Sequence, residues 1–245
     1  MTRLICLPMD RMREVRIAVS RGVKACKLAI PPVVPADLFS EPLDVRLIDV
    51  DQQDGNTTLQ EQVLILALAK SRRARRVFEF GTFDGKTSAN LAVNLDAEAE
   101  IVTIDIEPTQ SVRLPIGKKD LKFVRKERVG IKSSGAMNIM QLYGDTAQFD
   151  FSPWHGTRDL VFVDACHEYE YVRNDTDIAL RLSCSGGLII WHDYGSWAGV
   201  TRALNEFYSH DPRFRSIRHI AGTSICFLEV NQVESGASDS SRLGD

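Results

Sequence analysis

Five short apolar runs, each followed closely by an acidic residue, constrain the fold of this 245-residue chain most strongly. The runs cover residues 77–80, 101–104, 139–143, 160–163 and 188–191. Each has the length and composition of a strand that is buried on both faces in a parallel sheet. Helical patterns lie between several of them. Strands that alternate with helices predict an α/β fold with a doubly wound, mostly parallel sheet.

The ends of the chain differ from this pattern. Two extended runs, 214–220 and 223–230, are joined by Ala221-Gly222 and predict a terminal hairpin. The sequence Thr58-Leu-Gln-Glu61 is a capping box that predicts the start of a helix. We therefore predict an N-terminal extension over residues 1–57, a main domain over 58–230 and a disordered tail over 231–245.

Composition excludes several classes of protein. Hydrophobic residues at 44% and charged residues at 26% are typical of a globular domain, and a net charge of −3 gives no general attraction to nucleic acid. The five cysteines include no CxxC pair, which favours reduced thiols in a cytoplasmic protein. No apolar run approaches the roughly 18 residues of a membrane span, so none is expected.

A glycine loop follows the first run, in the sequence Phe78-Glu-Phe-Gly81-Thr-Phe-Asp-Gly85. It predicts a strand that turns tightly into a helix, where a ligand can approach bare backbone. A dinucleotide site would need a third glycine and a pyrophosphate seat at the helix N-terminus. The spacing therefore favours a nucleoside ligand without phosphates.

An acid lies at or just beyond the end of each predicted parallel strand: Glu79, Asp105, Asp145, Asp164 and Asp193. Ligands of open α/β sheets bind outside these strand ends, and five acids there require a cation or hydrogen-bond donors among them. Asp105 can accept the ribose hydroxyl hydrogens and Asp145 an adenine amino hydrogen, while Glu79 can hold the glycine loop or a ligand ammonium group. These roles fit one cationic ligand, S-adenosylmethionine.

Two of the acids are accompanied by histidines. Asp164-Ala-Cys-His167 and His192-Asp193 follow neighbouring predicted strands, which lie about 4.8 Å apart in a sheet. Carboxylates and imidazoles suit a divalent cation such as Mg²⁺ or Mn²⁺, with open positions for substrate oxygens. His167 is the predicted general base, because the unperturbed pKa of imidazole lies near neutrality.

Several segments of the chain resemble the motifs of a known family. Residues 78–88 are similar to the first motif of class I S-adenosylmethionine-dependent methyltransferases. The run Phe162-Val-Asp164-Ala-Cys-His167-Glu-Tyr169 resembles the Asp-x-x-His-x-Tyr signature of one branch, and Gly186-Gly-Leu-Ile-Ile-Trp-His192-Asp193-Tyr194 fits the same branch. That branch contains small-molecule O-methyltransferases related to macrocin O-methyltransferase and the cephalosporin hydroxylase-like proteins. The resemblance covers about residues 58 to 230.

The resemblance implies a Rossmann-like, seven-stranded sheet with an antiparallel last strand, and an O-methyltransferase that acts on a small-molecule hydroxyl. It implies metal ligands at Asp164, His192 and Asp193, although many relatives carry an acid at position 192. It implies that Asp164 and His167 take part in catalysis, and that residues 1–57 cover the site or mediate homo-oligomer formation. The residues expected to bind the cofactor are Glu79, Gly81, Thr82, Phe83, Gly85, Ser88, Asp105, Ile106, Gly144, Asp145 and Asp164.

Basic residues are concentrated in segment 118–132. They are interpreted either as a solvated helix face or as a lid over an acidic substrate.

Three alternatives to the small-molecule enzyme stay open. An NAD-dependent oxidoreductase is disfavoured by the missing third glycine and the terminal hairpin. A nucleic-acid methyltransferase is disfavoured because the chain has no Asn-Pro-Pro-Tyr-like motif or paired catalytic cysteines. A non-catalytic nucleoside-binding protein is disfavoured by the intact acids.

Overall fold

The computed structural model describes residues 27–48, 50, 53–107, 109–124 and 129–231. Within these residues eight strands form one sheet in the order β1-β7-β8-β6-β5-β2-β3-β4. The strands are β1 Pro32–Val33, β2 Arg76–Phe80, β3 Glu100–Asp105, β4 Ile139–Tyr143, β5 Arg158–Val163, β6 Ser183–Trp191, β7 Arg218–Ile220 and β8 Cys226–Glu229. Only β8 runs antiparallel to its neighbours in this sheet.

Five α-helices accompany the sheet in the described part of the chain: α1 Leu59–Ser71, α2 Lys86–Asn94, α3 Lys118–Leu121, α4 Tyr169–Leu182 and α5 Ala198–His210. The predicted capping box is confirmed, because Thr58 and Glu61 satisfy each other's backbone N–H groups at the start of α1. Leu59, the first residue of α1, is 46% exposed, since the buried face of α1 begins further along the helix.

The two faces of the sheet carry separate cores because side chains alternate along each strand. Phe78 and Phe80 of β2 point to the face covered by α4 and α5. Val77 points to the opposite face, where it packs against apolar residues of α1 and α2. Both faces of the central strands are thereby removed from water, as their apolar composition predicts.

The predicted mostly parallel sheet with an antiparallel last strand is confirmed, with one strand more than the seven expected. Pro32 and Val33, from the predicted N-terminal extension, pair with β7 and form an additional edge strand. The expected burial of residues 139–143 on both faces is wrong, because β4 is the opposite edge strand and leaves Met140 49% and Tyr143 43% exposed.

Strand β2 is the point where the strand order reverses, with β3 on one side and β5 on the other. Its carboxyl end is held by backbone hydrogen bonds to both neighbours: Gly81 N donates to Ile104 O, and Asp164 N donates to Phe80 O, each at 2.9 Å. In open α/β sheets the ligand crevice lies outside such a reversal. The fold therefore places the predicted site residues around the end of β2.

Residues 1–26 and 232–245, which include much of the predicted extension and nearly all of the predicted tail, lie outside the described residues. None of the described helices combines the length and the apolar character that crossing a membrane requires. Among the described cysteines, Cys166, Cys184 and Cys226 are free thiols. The division into an extension, a main domain and a tail stays a prediction, as does the cytoplasmic location.

Candidate active site

A cleft opens at the carboxyl ends of the parallel strands, with an empty volume of about 1020 Å³ that is continuous with solvent. It lies where the sequence predicts a ligand, and most of the predicted site residues line it. Those residues are Gly81, Phe83, Asp105, Ile106, Gly144, Asp145, Asp164, His167, His192 and Asp193.

Four residues predicted to contact the cofactor do not line the cleft: Glu79, Thr82, Gly85 and Ser88. Glu79 is 1% exposed and accepts hydrogen bonds from Ser88 Oγ and from Thr103 Oγ1, the latter at 2.8 Å. Burial raises the pKa of Glu79 to about 8, despite the hydrogen bonds from Ser88 and Thr103. Of the two predicted roles of Glu79, the structure therefore supports the one in which it holds the glycine loop from beneath.

The N-terminus of α2 is closed by protein rather than open to a ligand. Gly85 has a φ of 86°, and a Cβ atom there would lie 2.5 Å from Ser133 Oγ and 3.0 Å from Gly130 Cα. The bare backbone of Gly85 therefore admits the segment around Gly130, and its role as a cofactor contact stays a prediction. The segment around Gly130 thus packs against the start of α2.

Gly81 lines the cleft, but the space beside its Cα atom is filled by backbone atoms of Asp164, directly after β5. A Cβ atom on Gly81 would collide with the backbone carbonyl of Asp164, and the φ of Gly81 is 85°. Glycine is therefore required here by the close approach of β2 and β5 as well as by a left-handed backbone. This contact fixes the position of Asp164 relative to the glycine loop.

Asp105 and Asp145 are already hydrogen-bonded within the protein. Asp105 accepts from the backbone N–H groups of Thr82, Phe83 and Ile106 at 2.7–3.0 Å. Asp145 is 3% exposed, and its acceptor positions are used by the donors Arg113 N, Ala147 N, Gln148 Nε2 and Tyr171 OH at 2.7–3.0 Å. A carboxylate has about four acceptor positions. Asp105 lines the cleft, where a ribose hydroxyl could reach it. An adenine amino group would have to replace a donor at Asp145.

His192 is enclosed by three carboxylates. Its Nδ1 lies 3.1 Å from Asp164 Oδ1 and 3.2 Å from Asp193 Oδ2, and its Nε2 lies 3.3 Å from Glu61 Oε2. Burial alone would lower the pKa of His192, but the negative charges of Asp164, Asp193 and Glu61 raise it well above the ordinary range. In the same way, burial opposes ionisation of Asp193, and His192 nevertheless holds its pKa well below the ordinary range.

His167 lies between two further carboxylate contacts. Its Nδ1 contacts Asp120 Oδ1, and its Nε2 lies 2.9 Å from Asp193 Oδ2. Burial works against protonation, but the hydrogen bonds to Asp120 and Asp193 raise the pKa of His167 to about 9. The imidazole ring is stacked on Trp197, with ring centroids 4.1 Å apart and planes 11° apart. These contacts fix the orientation of the ring.

Sequence reasoning missed several functional neighbours. Glu61 was interpreted only as part of a capping box, although its second carboxylate oxygen accepts from Ser224 N and Oγ at 2.8 Å. Asp120 was hidden in a basic run, and Trp197 stood in no motif. An acid among many bases was the available signal for Asp120, although Glu127 in the same run gives the same signal. Nothing local indicated Trp197.

Two segments cover the cleft, and we call residues 53–56 and 116–124 the covering segments. Asp54, Gly55 and Asn56 line the cleft from one side, and Ile116, Asp120, Phe123 and Val124 from the other. The described lysines of the basic run, Lys118, Lys119 and Lys122, do not line it. The side chain of Lys122 is 53% exposed and pairs with Asp54 at 2.7 Å. Within the described part of the basic run, the residues that line the cleft are therefore apolar, apart from Asp120.

Buried Asp84 anchors the first covering segment, residues 53–56, and also pairs with Lys132. Its carboxylate accepts from Gln53 Nε2 at 2.6 Å and from Asn56 Nδ2 at 3.2 Å, and it lies 3.1 Å from Lys132 Nζ. It also accepts from Lys86 N at the start of α2 at 3.0 Å. One carboxylate therefore joins the glycine loop to the segment that precedes α1 and to the segment that precedes β4.

Comparison with known proteins gives a family match for the central part of the chain. Residues 78–194 match the family model described as a methyltransferase domain. This stretch runs from β2 to just beyond β6 and contains the glycine loop, Asp105, Asp145 and both Asp/His pairs. The central part of the chain is therefore similar to a methyltransferase domain, as the sequence resemblance implied.

Solved structures share the same fold. A putative O-methyltransferase from Klebsiella pneumoniae has a TM-score of 0.50 and 16% identity, covering 93% of this chain and 92% of its own. An SAH-bound methyltransferase from Podospora anserina has a TM-score of 0.52 and 19% identity, covering 73% of this chain and 81% of its own. No curated protein matches the sequence. At these identities the likeness confirms the Rossmann-like methyltransferase fold.

Proposed function

We propose that this protein is an S-adenosylmethionine-dependent O-methyltransferase that methylates a hydroxyl group of a small molecule. One observation supports the proposal above all others. In a region that matches a methyltransferase domain, Asp105, Asp145, Asp164 and Asp193 line one cleft next to the glycine loop. The cofactor has the complementary character, because it is a nucleoside with two positive charges and no phosphate.

Several residues are arranged to hold this cofactor. Gly81 and Phe83 border the cleft at the end of β2, and Asp105 and Ile106 border it at the end of β3. Asp164, at the end of β5, supplies a negative charge for the sulfonium or ammonium group. When bound, S-adenosylmethionine supplies an electrophilic methyl group, and the residues of the cleft serve to position the acceptor oxygen in line with it.

The residues present fit a divalent cation beside the cofactor. Asp164, His167 and Asp193 each offer a ligand atom, and these atoms lie within 4.8 Å of one another. A divalent cation held there would lower the pKa of the acceptor hydroxyl and fix its orientation. Mg²⁺ or Mn²⁺ is the proposed ion, and Asp164 and Asp193 are its proposed carboxylate ligands.

His167 has two proposed roles, general base and metal ligand, and they exclude each other because both use Nε2. As a base it must first lose the proton that Asp120 and Asp193 stabilise. Its pKa of about 9 puts the neutral form in the minority at pH 7. The base role therefore requires an alkaline reaction or a change in these contacts when the substrate binds.

The acceptor side of the cleft is apolar and aromatic. Trp197 and Phe123 flank His167, and their ring centroids lie 6.1 Å apart. Ile116 and Val112 extend this wall. Such a surface suits a small acceptor with an apolar or planar body that presents its hydroxyl toward Asp164 and Asp193.

Calorimetry and a methyl-transfer assay test the proposal together. Titration with S-adenosylhomocysteine should show one site, and the Asp105→Asn variant should bind at least about tenfold more weakly, equivalent to about 1.4 kcal/mol. Asp96→Asn, which changes an exposed surface acid, should bind as the wild type does. Labelled methyl transfer to a panel of phenols, catechols and sugars then identifies the acceptor class.

The alternatives give different results in the same experiments. Saturable binding of NAD without binding of S-adenosylhomocysteine would support the oxidoreductase and overturn the proposal. Methylation of RNA or DNA, with salt-dependent binding, would support the nucleic-acid enzyme. Cofactor binding without transfer to any acceptor in the panel would favour the non-catalytic protein. The oligomeric state stays a prediction, which sedimentation of the full chain would measure.

A further inference from the structure

The two histidines of the site differ in how they face the paired aspartates. Among the described residues, the group that can surround a metal ion consists of Asp164, His167 and Asp193, and His192 is not part of it. His167 Nε2 lies 2.9 Å from Asp193 Oδ2. An octahedral ion with bonds of about 2.1 Å places neighbouring ligand atoms about 3 Å apart, so this spacing suits a shared ion. His192 Nδ1 lies at similar distances from each aspartate. The distinction between the two histidines is that the ligand atoms of Asp164, His167 and Asp193 all lie within 4.8 Å of one another.

Asp120 orients His167 for this role. It is 5% exposed, lies on the covering segment, and contacts His167 Nδ1, which leaves Nε2 directed at Asp193. A carboxylate on the far nitrogen is the usual support of a metal-binding histidine, because it fixes the tautomer and increases the basicity of the coordinating nitrogen. Trp197 and Phe123 hold the ring on its face and edge.

His192 occupies a different position in the same network. Its Nδ1 bridges Asp164 and Asp193, and Glu61 holds its Nε2. Glu61 is in turn fixed by Ser224 and by the start of α1. These contacts make His192 a hydrogen-bond donor to the two aspartates.

We infer that His167, oriented by Asp120, is the third protein ligand of the proposed cation, and that His192 is not a ligand. This inference rests on the proposed function, which it deepens by assigning the ligand set. It also selects the ion, because two carboxylates and one imidazole suit Mn²⁺ or another divalent transition metal, whereas Mg²⁺ prefers oxygen ligands. His167 is then unavailable as the general base while the ion is bound.

Electron paramagnetic resonance with Mn²⁺ as the probe tests this assignment without an activity assay. The wild-type protein should bind Mn²⁺ at least about tenfold more tightly than it binds Mg²⁺, measured by competition. Pulsed spectra should show coupling to the nitrogen of one imidazole. His167→Ala should abolish that coupling, whereas His192→Gln should keep it. Asp120→Asn should keep the coupling but weaken Mn²⁺ binding by about 10–100-fold.

Controls separate this inference from the proposed function. His210→Gln, which removes an exposed histidine far from the aspartates in sequence, should leave the spectrum unchanged. Titration of each variant with S-adenosylhomocysteine shows whether the cofactor site is intact; failure of the wild type to bind it would count against the proposed function alone. Mn²⁺ binding without nitrogen coupling, coupling lost only in His192→Gln, or no Mn²⁺ binding would each overturn the ligand assignment. The first and last of these results need only the wild-type protein.

Discussion

Glu61 Oε2 lies 3.3 Å from His192 Nε2, although 131 positions separate the two residues in the sequence. The contact joins the first turn of α1 to the loop after β6. Burial of Glu61 opposes its ionisation, yet the neighbouring His192 lowers the pKa of the carboxyl, which keeps the pair charged. A residue that caps a helix thereby also sets the charge and orientation of a histidine in the active-site cleft.

Replacing Glu61 with glutamine should destabilise the protein more than loss of the helix cap alone. We expect Glu61→Gln to lower the free energy of unfolding by about 1.5–3 kcal/mol, because a buried hydrogen bond to a charged group is lost. Thr58→Ala removes the cap without touching His192 and should cost about 1 kcal/mol. Urea denaturation at pH 7 measures both. Equal losses in the two variants would show that the contact with His192 contributes nothing.

Adding a methyl group at Gly81 should move Asp164. We expect Gly81→Ala to weaken S-adenosylhomocysteine binding by at least about tenfold, or about 1.4 kcal/mol, in calorimetry. The physical cause is the collision of the new Cβ with the Asp164 carbonyl. Gly222→Ala is the matched control, because Gly222 has a similar φ of 80° but open space around its Cα. It should show only the left-handed backbone penalty of about 1–2 kcal/mol in stability, with unchanged affinity.

The neutral form of Glu79 should make stability depend on pH. Its pKa is raised from 4.5 to about 8 in the folded protein, so the folded state binds the proton more tightly than the unfolded state. This contribution is fully present below about pH 4.5 and is lost as the pH rises through 8, by up to about 1.4 kcal/mol per unit. Glu79→Gln cannot ionise, so its stability relative to the wild type should increase steadily from pH 5 to 8. A constant difference across that range would contradict the assignment.

Asp84 should control how firmly the cover is held. Asp84→Asn keeps the size of the side chain but removes the charge that serves Lys132 and three hydrogen-bond donors. We expect faster proteolysis within residues 53–56 and a loss of stability of about 1–3 kcal/mol. Asp54→Asn breaks only the exposed pair with Lys122, which is worth about 0–1 kcal/mol. The idea is wrong if both variants are cleaved at the wild-type rate.

The local pattern of the sequence was sufficient for the main elements. Apolar runs of strand length, the Thr58–Glu61 capping box and the glycine loop are short-range features, and each depends on backbone geometry within a few residues. The rule that ligands bind at the carboxyl ends of parallel strands then placed Asp105, Asp145, Asp164 and Asp193 in one cleft. Both Asp/His pairs could be found in this way.

The same patterns could not predict where each side chain points or whether it is buried. Glu79 and Asp105 both lie near strand ends, yet Glu79 is buried whereas Asp105 lines the cleft. Alternation does not separate them, because Glu79 is in register with Thr103, two residues before Asp105, and both side chains point to the same side of the sheet. Their position along the strand makes the difference. Gly81 and Gly85 look equivalent in the sequence, but each is required by a different neighbouring segment. The exposed faces of β4 follow from its edge position, which is a property of strand order.

The sequence by itself determined the class of fold, the edge of the sheet that carries the site and the kinds of side chain present there. Only the tertiary structure decided the partners: Asp120 on His167, Glu61 on His192, and the Asp164 carbonyl against Gly81. The physical reason is that charge and orientation in a buried site are set by atoms within about 4 Å. The folded chain brings those atoms together from segments that are distant in sequence.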